Sequence, residues 1–348
     1  MVRTIELKMN YWDLYPRREP IVLREVRRVR DGIGVEILLE AGIDGFSHYL
    51  YAFDDEAFTE SLDGRIRICF TGREESRSKT LRVKAVLMDG SETQEYRMTV
   101  SYYPSEMYAK SGLTFPSWLI ILESDLHLSR SRVEDYIINK VTDEDRTYAL
   151  RRWGRLIADK PDYEAAREIA KAIIADLEEH RGIPSDEMKG LRPFQQYERA
   201  LSGRDHVWCG NIAAIFSQAC NSLGIPCRRI AMQRPLTDEE EKEAYRILLA
   251  EGHTTTEIFS ERLNRWIWID PTFRILGAYL NDSDPLDLFE LYLCINRPEK
   301  AARLRLLEYD ASIGEERLVP FDECRYRSSL RNYLKMEQRF RFFAADQR

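Results

Sequence analysis

The 348-residue chain has no apolar run near the roughly 18 residues that a membrane-spanning helix needs; the best, Trp118 to Leu122, has only five. Its first residues, Met-Val-Arg-Thr-Ile-Glu-Leu-Lys, alternate charged with apolar side chains and contain no hydrophobic h-region. These absences argue against a membrane span and a signal peptide, and the expectation is a soluble, cytoplasmic protein. Cysteine is scarce: Cys69, Cys209, Cys220, Cys227, Cys294 and Cys324 form no Cys-x-x-Cys pair. Without a secretion signal they are expected to be reduced thiols rather than a disulfide framework. Internal repeats, low-complexity stretches and glycine-rich phosphate loops are all missing. Basic charge is also in deficit, with 59 acidic against 52 basic residues and a net charge of −7. Nucleic-acid affinity rests on neutralising phosphates, so nucleic acid is not an expected partner. The local cluster Arg24, Arg27, Arg28 and Arg30 reads as a solvated strand face.

What remains is a globular composition, 44% apolar and 32% charged, at a length that suggests two domains or three. The first hundred residues carry strand patterns. Ile66, Ile68 and Phe70 alternate with Arg65, Arg67 and Cys69, and Ile21 to Val29 and Gly34 to Leu39 flank a turn at Asp31-Gly32. Leu81 to Met88 and Thr93 to Tyr103 read as a hairpin around Asp89-Gly90-Ser91, with Tyr96, Met98 and Val100 on one face. Short strands separated by turns predict an antiparallel β-sandwich over residues 1–105. No catalytic residue types gather there, so it reads as a scaffold or binding module. Tyr102, Tyr103 and Tyr108 are candidates for a glycan or peptide groove, against the plainer reading of a sandwich edge.

From about residue 130 the period becomes helical. Val133, Ile137 and Val141 lie four apart, as do Ile169, Ile173 and Leu177, before Gly182 and Pro184. Leu286 to Ile295 is a further apolar patch. The last residues, 321–348, read as a basic, aromatic extension without a motif.

Chemistry concentrates between Ser202 and Phe273. Ile212, Ile215, Phe216, Ala219 and Leu223 trace one helical stripe, which Gly224 and Pro226 stop. Cys209 therefore falls at or just before the first turn of that helix. Unpaired backbone N–H groups and the helix dipole favour an anion there, which lowers a thiol pKa and can hold an oxyanion. Downstream, Gly252 to Phe259 and Arg265 to Asp270 read as two strands. A turn centred between Glu261 and Arg262 sets His253 directly opposite Asp270, and a slip of one residue would put them on opposite faces. A carboxylate in reach of an imidazole fixes its tautomer and stabilises its cation. Each feature alone has a plain structural reading: a packed thiol, a strand histidine, a strand-end aspartate.

Taken together, Trp208-Cys209-Gly210, Leu223-Gly224-Ile225-Pro226-Cys227-Arg228, Gly252-His253 with Glu257, and Trp266-Ile267-Trp268-Ile269-Asp270-Pro271-Thr272 resemble the transglutaminase-like superfamily. The resemblance covers roughly residues 130 to 280. It implies an α+β, papain-like core with helices packed on an antiparallel sheet, assigned to residues 106–320. It also implies Cys209 as nucleophile, His253 as general base and acid, and Asp270 as the residue orienting His253. The expected substrate is an amide in a peptide, protein or glycoconjugate, with no cofactor, no metal, no nucleic acid and no membrane. Two departures stand out. Thr255 occupies a position that is often aromatic in the family. Residues 237–252 are an insertion that reads as a capped helix, with Thr237 and Glu240 as capping box and Ala244, Ile247 and Leu248 as its apolar face.

Gln195 and Gln196 are candidates for a second oxyanion donor. A zinc site of His206, Cys209, Cys220 and Cys227 matches no common spacing, and Asp282, Asp284 and Asp287 lack the glycine of a calcium-binding EF loop. Two further functions remain open at this level. One is a non-catalytic protein- or glycan-binding module that keeps the fold; the other is a role in polysaccharide or envelope assembly.

Overall fold

The computed structural model describes residues 4–7, 15, 18–72, 75–104, 118–128, 133–233, 252–281, 283–335 and 339–342. The insertion helix expected at residues 237–252 lies outside them except for Gly252, as do Tyr108 and Asp282. The protein is of α+β class and divides into two compact units, residues 1–132 and 133–348.

In the first unit the strands are β1 (Thr4–Leu7), β2 (Ile21–Arg28), β3 (Ile33–Ala41), β4 (Phe46–Phe53), β5 (Thr59–Ser61), β6 (Arg65–Phe70), β7 (Arg77–Leu87), β8 (Tyr96–Pro104), β9 (Trp118–Ser124) and β10 (His127–Leu128). They form a sheet of order β1-β9-β8-β7-β4-β5 and a second of order β10-β2-β3-β6. Alternation decides which side chains go inside: Ile66, Ile68 and Phe70 of one sheet and Tyr96, Met98 and Val100 of the other are buried in one core. Tyr102 also points inward and stacks on Phe70, so it cannot share a groove with its strand neighbour Tyr103, which faces the other way. The pairing is antiparallel except at two edges, where β1 runs parallel to β9 and β10 parallel to β2. The unit continues past residue 105 because β9 and β10 complete the two sheets, which places the boundary at Arg132.

The second unit contains helices α1 (Asp143–Ile157), α2 (Asp162–Asp176), α3 (Pro193–Leu201) and α4 (Cys209–Ser222), then β11 (Cys227–Gln233), β12 (Gly252–Ser260), β13 (Arg265–Ile269) and β14 (Ile275–Leu280). After these come α5 (Leu288–Ile295), α6 (Pro298–Ala301), β15 (Leu304–Asp310), β16 (Glu315–Pro320), α7 (Arg327–Tyr333) and β17 (Arg339–Phe342). The Val133, Ile137, Val141 spacing is not a helix. Only Val133–Tyr136 turns, as a 3-10 segment, because Thr142 and Asp145 form a capping box that starts α1 at Asp143. Ile169, Ile173 and Leu177 are buried as their spacing predicts, and α2 ends at Asp176, ahead of Gly182.

The sheet β13-β12-β11-β17 is antiparallel and covered on both faces. Ile258, Ile267 and Ile269 enter a core with α1 to α4, whereas Ile230, Met232 and Trp268 enter one with α5 and the residues after 320. Double burial explains why Trp266 to Ile269 reads as a continuous apolar run rather than an alternation. The C-terminal residues are no appendage: Phe321, Leu330 and Leu334 lie in that second core, and β17 closes the edge of β11.

Candidate active site

Cys209 is the first residue of α4, with Trp208 as N-cap. The first intrahelical bond joins Ile212 N to Trp208 O at 3.0 Å, so the N–H groups of Cys209, Gly210 and Asn211 stand outside the helical ladder. At the other end Gly224 adopts φ +83°, the left-handed conformation that terminates the helix. Asn211 braces the first turn. Its Oδ1 accepts from Trp208 N at 3.3 Å and its Nδ2 donates to Gln196 Oε1 at 2.9 Å.

Gln196 is therefore a support and not an oxyanion donor: its amide also donates to the carbonyls of Leu191 at 2.8 Å and Met188 at 3.3 Å. Gln195 caps α3 by accepting from Arg192 N at 2.9 Å. His206 is exposed against Gly182, while Cys220 and Cys227 are buried against each other. Asp287 caps α5, with its side chain accepting from Glu290 N at 2.7 Å.

His253 and Asp270 meet through a register that differs from the expected one. The turn spans Glu261 to Asn264, with Asn264 at φ +46° and Ser260 paired to Arg265, so its centre lies one residue later. The ladder therefore shifts by two, and continuing it one step past Thr256 and Ile269 brings Asp270 level with Thr255. A shift of two preserves the face, so His253 still reaches Asp270 diagonally, Nε2 to Oδ2 at 2.7 Å. Asp270 Oδ1 accepts from the N–H of Phe273 at 3.0 Å. The loop behind it is pinned by Arg181, which donates to the carbonyls of Thr272 at 2.5 Å and Pro271 at 3.3 Å. Thr255 is buried and accepts from the Trp268 indole at 2.8 Å, which gives that residue a use in place of an aromatic wall.

The structure brings Cys209, His253 and Asp270 together. With Nε2 committed to Asp270, Nδ1 is the ring nitrogen left for interaction with Cys209. Burial alone pushes the thiol up, but the hydrogen bond and charge of His253 and the N–H of Thr254 outweigh it, leaving Cys209 below its ordinary value. Burial works against a charged imidazole too. The Asp270 charge and hydrogen bond, joined by Cys209, overcome it and push His253 up to about 9. Both directions favour a thiolate–imidazolium pair.

Sequence patterns did not reveal the rings around this pair. Phe273 stacks on His253 with centroids 4.4 Å apart, and Tyr333 of α7 lies 5.2 Å from it. Phe273 and Tyr326 also line a cavity of about 650 Å³ that Arg274, Glu178 and His180 border. Phe273 lies three residues after Asp270 in an apolar position, whereas nothing local marks Arg181 or Tyr333. The chain matches no protein-family model, and it matches none of the curated proteins.

Proposed function

We propose that the protein is a cysteine-dependent acyl-transfer enzyme of the transglutaminase-like type, acting on an amide of a peptide, protein or glycoconjugate. The observation that carries this reading is His253 hydrogen-bonded to Asp270 at 2.7 Å beside Cys209, which stands at a helix start and interacts with the imidazole. The Cys209 thiolate attacks the amide carbonyl carbon, and the electron pair moves to the oxygen, where first-turn N–H groups stabilise it. Collapse breaks the C–N bond as imidazolium gives its proton to the leaving amine, and a thioester remains. Neutral His253 then takes a proton from water, whose oxygen attacks the thioester; a carboxylic acid leaves and the Cys209–His253 pair is restored. An amine in place of water gives transamidation. Hydrolysis is the preferred outcome, because selecting an amine over water takes a dedicated channel. All six cysteines are unpaired, which suits a reducing compartment such as the cytoplasm.

The test is the pH profile of iodoacetamide alkylation, read cysteine by cysteine by mass spectrometry in wild type and His253→Ala. The expected result is labelling of Cys209 ahead of the other five thiols below about pH 7, lost in His253→Ala. Labelling of Cys209 no faster than exposed Cys69, with no response to His253, would remove the nucleophile and the proposal with it.

A further inference from the structure

His253 is packed by two neighbouring rings that come from separate stretches of the second unit. Phe273 belongs to the loop after Asp270, and its ring lies 4.4 Å from the imidazole at an interplanar angle of 17°. Tyr333 ends α7, in the segment beyond residue 320, and its ring lies 5.2 Å away at 31°. The two rings also contact one another, with centroids 6.2 Å apart, and Tyr326 stacks on Phe273 at 5.0 Å. Hydrogen bonds fix only the two nitrogens of the imidazole. Its tilt about the line joining Asp270 to Cys209 is left to whatever packs on its faces.

We propose that Tyr333 is a positioning residue for the Cys209–His253 pair, its ring completing with Phe273 an aromatic seat that holds the imidazole in the plane reaching both partners and favours its cationic form. The inference rests on the reading of Cys209 and His253 given above. An imidazolium within about 6 Å of an aromatic centroid is attracted to the ring quadrupole, more strongly where water is excluded, and His253 is buried. The groups acting on His253 are Asp270 after β13 and Cys209 on α4, with Arg181 bearing on Asp270. Tyr333 is the contribution of α7, and Tyr326 acts through Phe273 and Arg181. The C-terminal segment thus has a role at the reacting pair as well as in the core, where Leu330 and Leu334 anchor it.

The same alkylation profile tests this in Tyr333→Leu, Tyr333→Phe and a series of phenylalanines of increasing ring fluorination at position 333. Fluorination drains negative charge from the ring face with little change in size, so the series does not depend on how well Tyr333→Leu folds. Tyr333→Phe should keep the wild-type profile. Tyr333→Leu should raise the midpoint of Cys209 labelling by roughly half a unit to one unit, and the fluorinated rings should raise it in graded steps. A flat fluorination series, or a Tyr333→Phe profile shifted as far as that of Tyr333→Leu, overturns the proposal. Either result leaves the acyl-transfer reading standing if wild-type Cys209 remains selectively labelled. Unselective labelling of wild type instead overturns that reading.

Discussion

Arg228 and Glu257 form an ion pair with neither side chain open to solvent, Arg228 Nε donating to Glu257 Oε2 at 2.8 Å. The guanidinium carbon also lies 4.0 Å from the centre of the Trp266 ring and 4.7 Å from that of Tyr136. Glu257 Oε1 accepts from Leu288 N, the first N–H of α5, at 2.6 Å. The pair thus ties β11, β12 and α5 together, four residues along β12 from His253. Burying two charges costs much of what their attraction returns, but removing one strands the other. Glu257→Gln should destabilise the second unit by about 3–5 kcal/mol in urea unfolding. The double variant Arg228→Met/Glu257→Leu should recover a large part of that loss. A double variant as unstable as the sum of its parts would contradict this account.

The pH dependence follows from Asp270. Its charge and hydrogen bond, with a smaller contribution from Cys209, overcome burial to lift His253 from an ordinary 6.5 to about 9. A raised folded-state pKa contributes stability that is complete below 6.5 and disappears as pH rises through about 9. Wild type should therefore lose its stability advantage over Asp270→Asn between those pH values, a change on the order of 3 kcal/mol. Without the carboxylate the imidazole holds its proton less tightly, so Cys209 labelling at pH 6.5 should fall about tenfold in Asp270→Asn. An Asp270→Asn variant with unchanged labelling and parallel stability profiles would show that Asp270 does not govern His253.

Local signals carried the reading of this site some distance. The stripe from Ile212 to Ala219 and the stop at Gly224 define α4, and with it the place of Cys209 at the helix start. Side-chain alternation puts His253 and Asp270 on one face, and a parity argument survives the two-residue shift that Asn264 introduces through its left-handed backbone. The turn centre was not legible, because Glu261, Arg262 and Leu263 are not strong turn formers and four-residue loops leave no fixed dipeptide mark. Tyr333 was less legible still. It lies 80 residues beyond His253 in sequence, and a ring face contact has no spacing rule. The capping box at Thr142 was a missed local signal, masked by an accidental helical spacing of three apolar residues.

Gly277 of β14 marks a close approach in the same unit. A Cβ there would stand 2.1 Å from the Tyr163 hydroxyl, which donates to Leu276 O at 2.9 Å. Tyr163 is buried and its ring cannot swing aside, so Gly277→Ala should cost about 1–3 kcal/mol through overpacking. Adding Tyr163→Phe removes the clashing oxygen, so the double variant should be more stable than the two single losses summed. Thermal unfolding of the four proteins decides it, and strict additivity would place the strain elsewhere.

The boundary at Arg132 gives a sharp expectation for fragments. In the first sheet β8 pairs with β9 from Met98↔Ser124 to Pro104↔Trp118. A chain ending at residue 105 therefore exposes the backbone edge of β8 and removes Trp118, Ile120, Leu122 and Leu126 from the core. At about 1.5–3 kcal/mol per large buried side chain, that loss is comparable to the whole stability margin typical of a domain. An unpaired apolar edge also invites association. Residues 1–132 should unfold in one cooperative transition by circular dichroism, whereas residues 1–105 should aggregate or lack a transition. Equal unfolding midpoints for the two fragments would show that β9 and β10 are dispensable and that the boundary belongs nearer residue 105. The complementary fragment, residues 133–348, contains Cys209, His253, Asp270 and Tyr333 within one compact unit. It should therefore keep the selective low-pH labelling of Cys209 after the sandwich is removed.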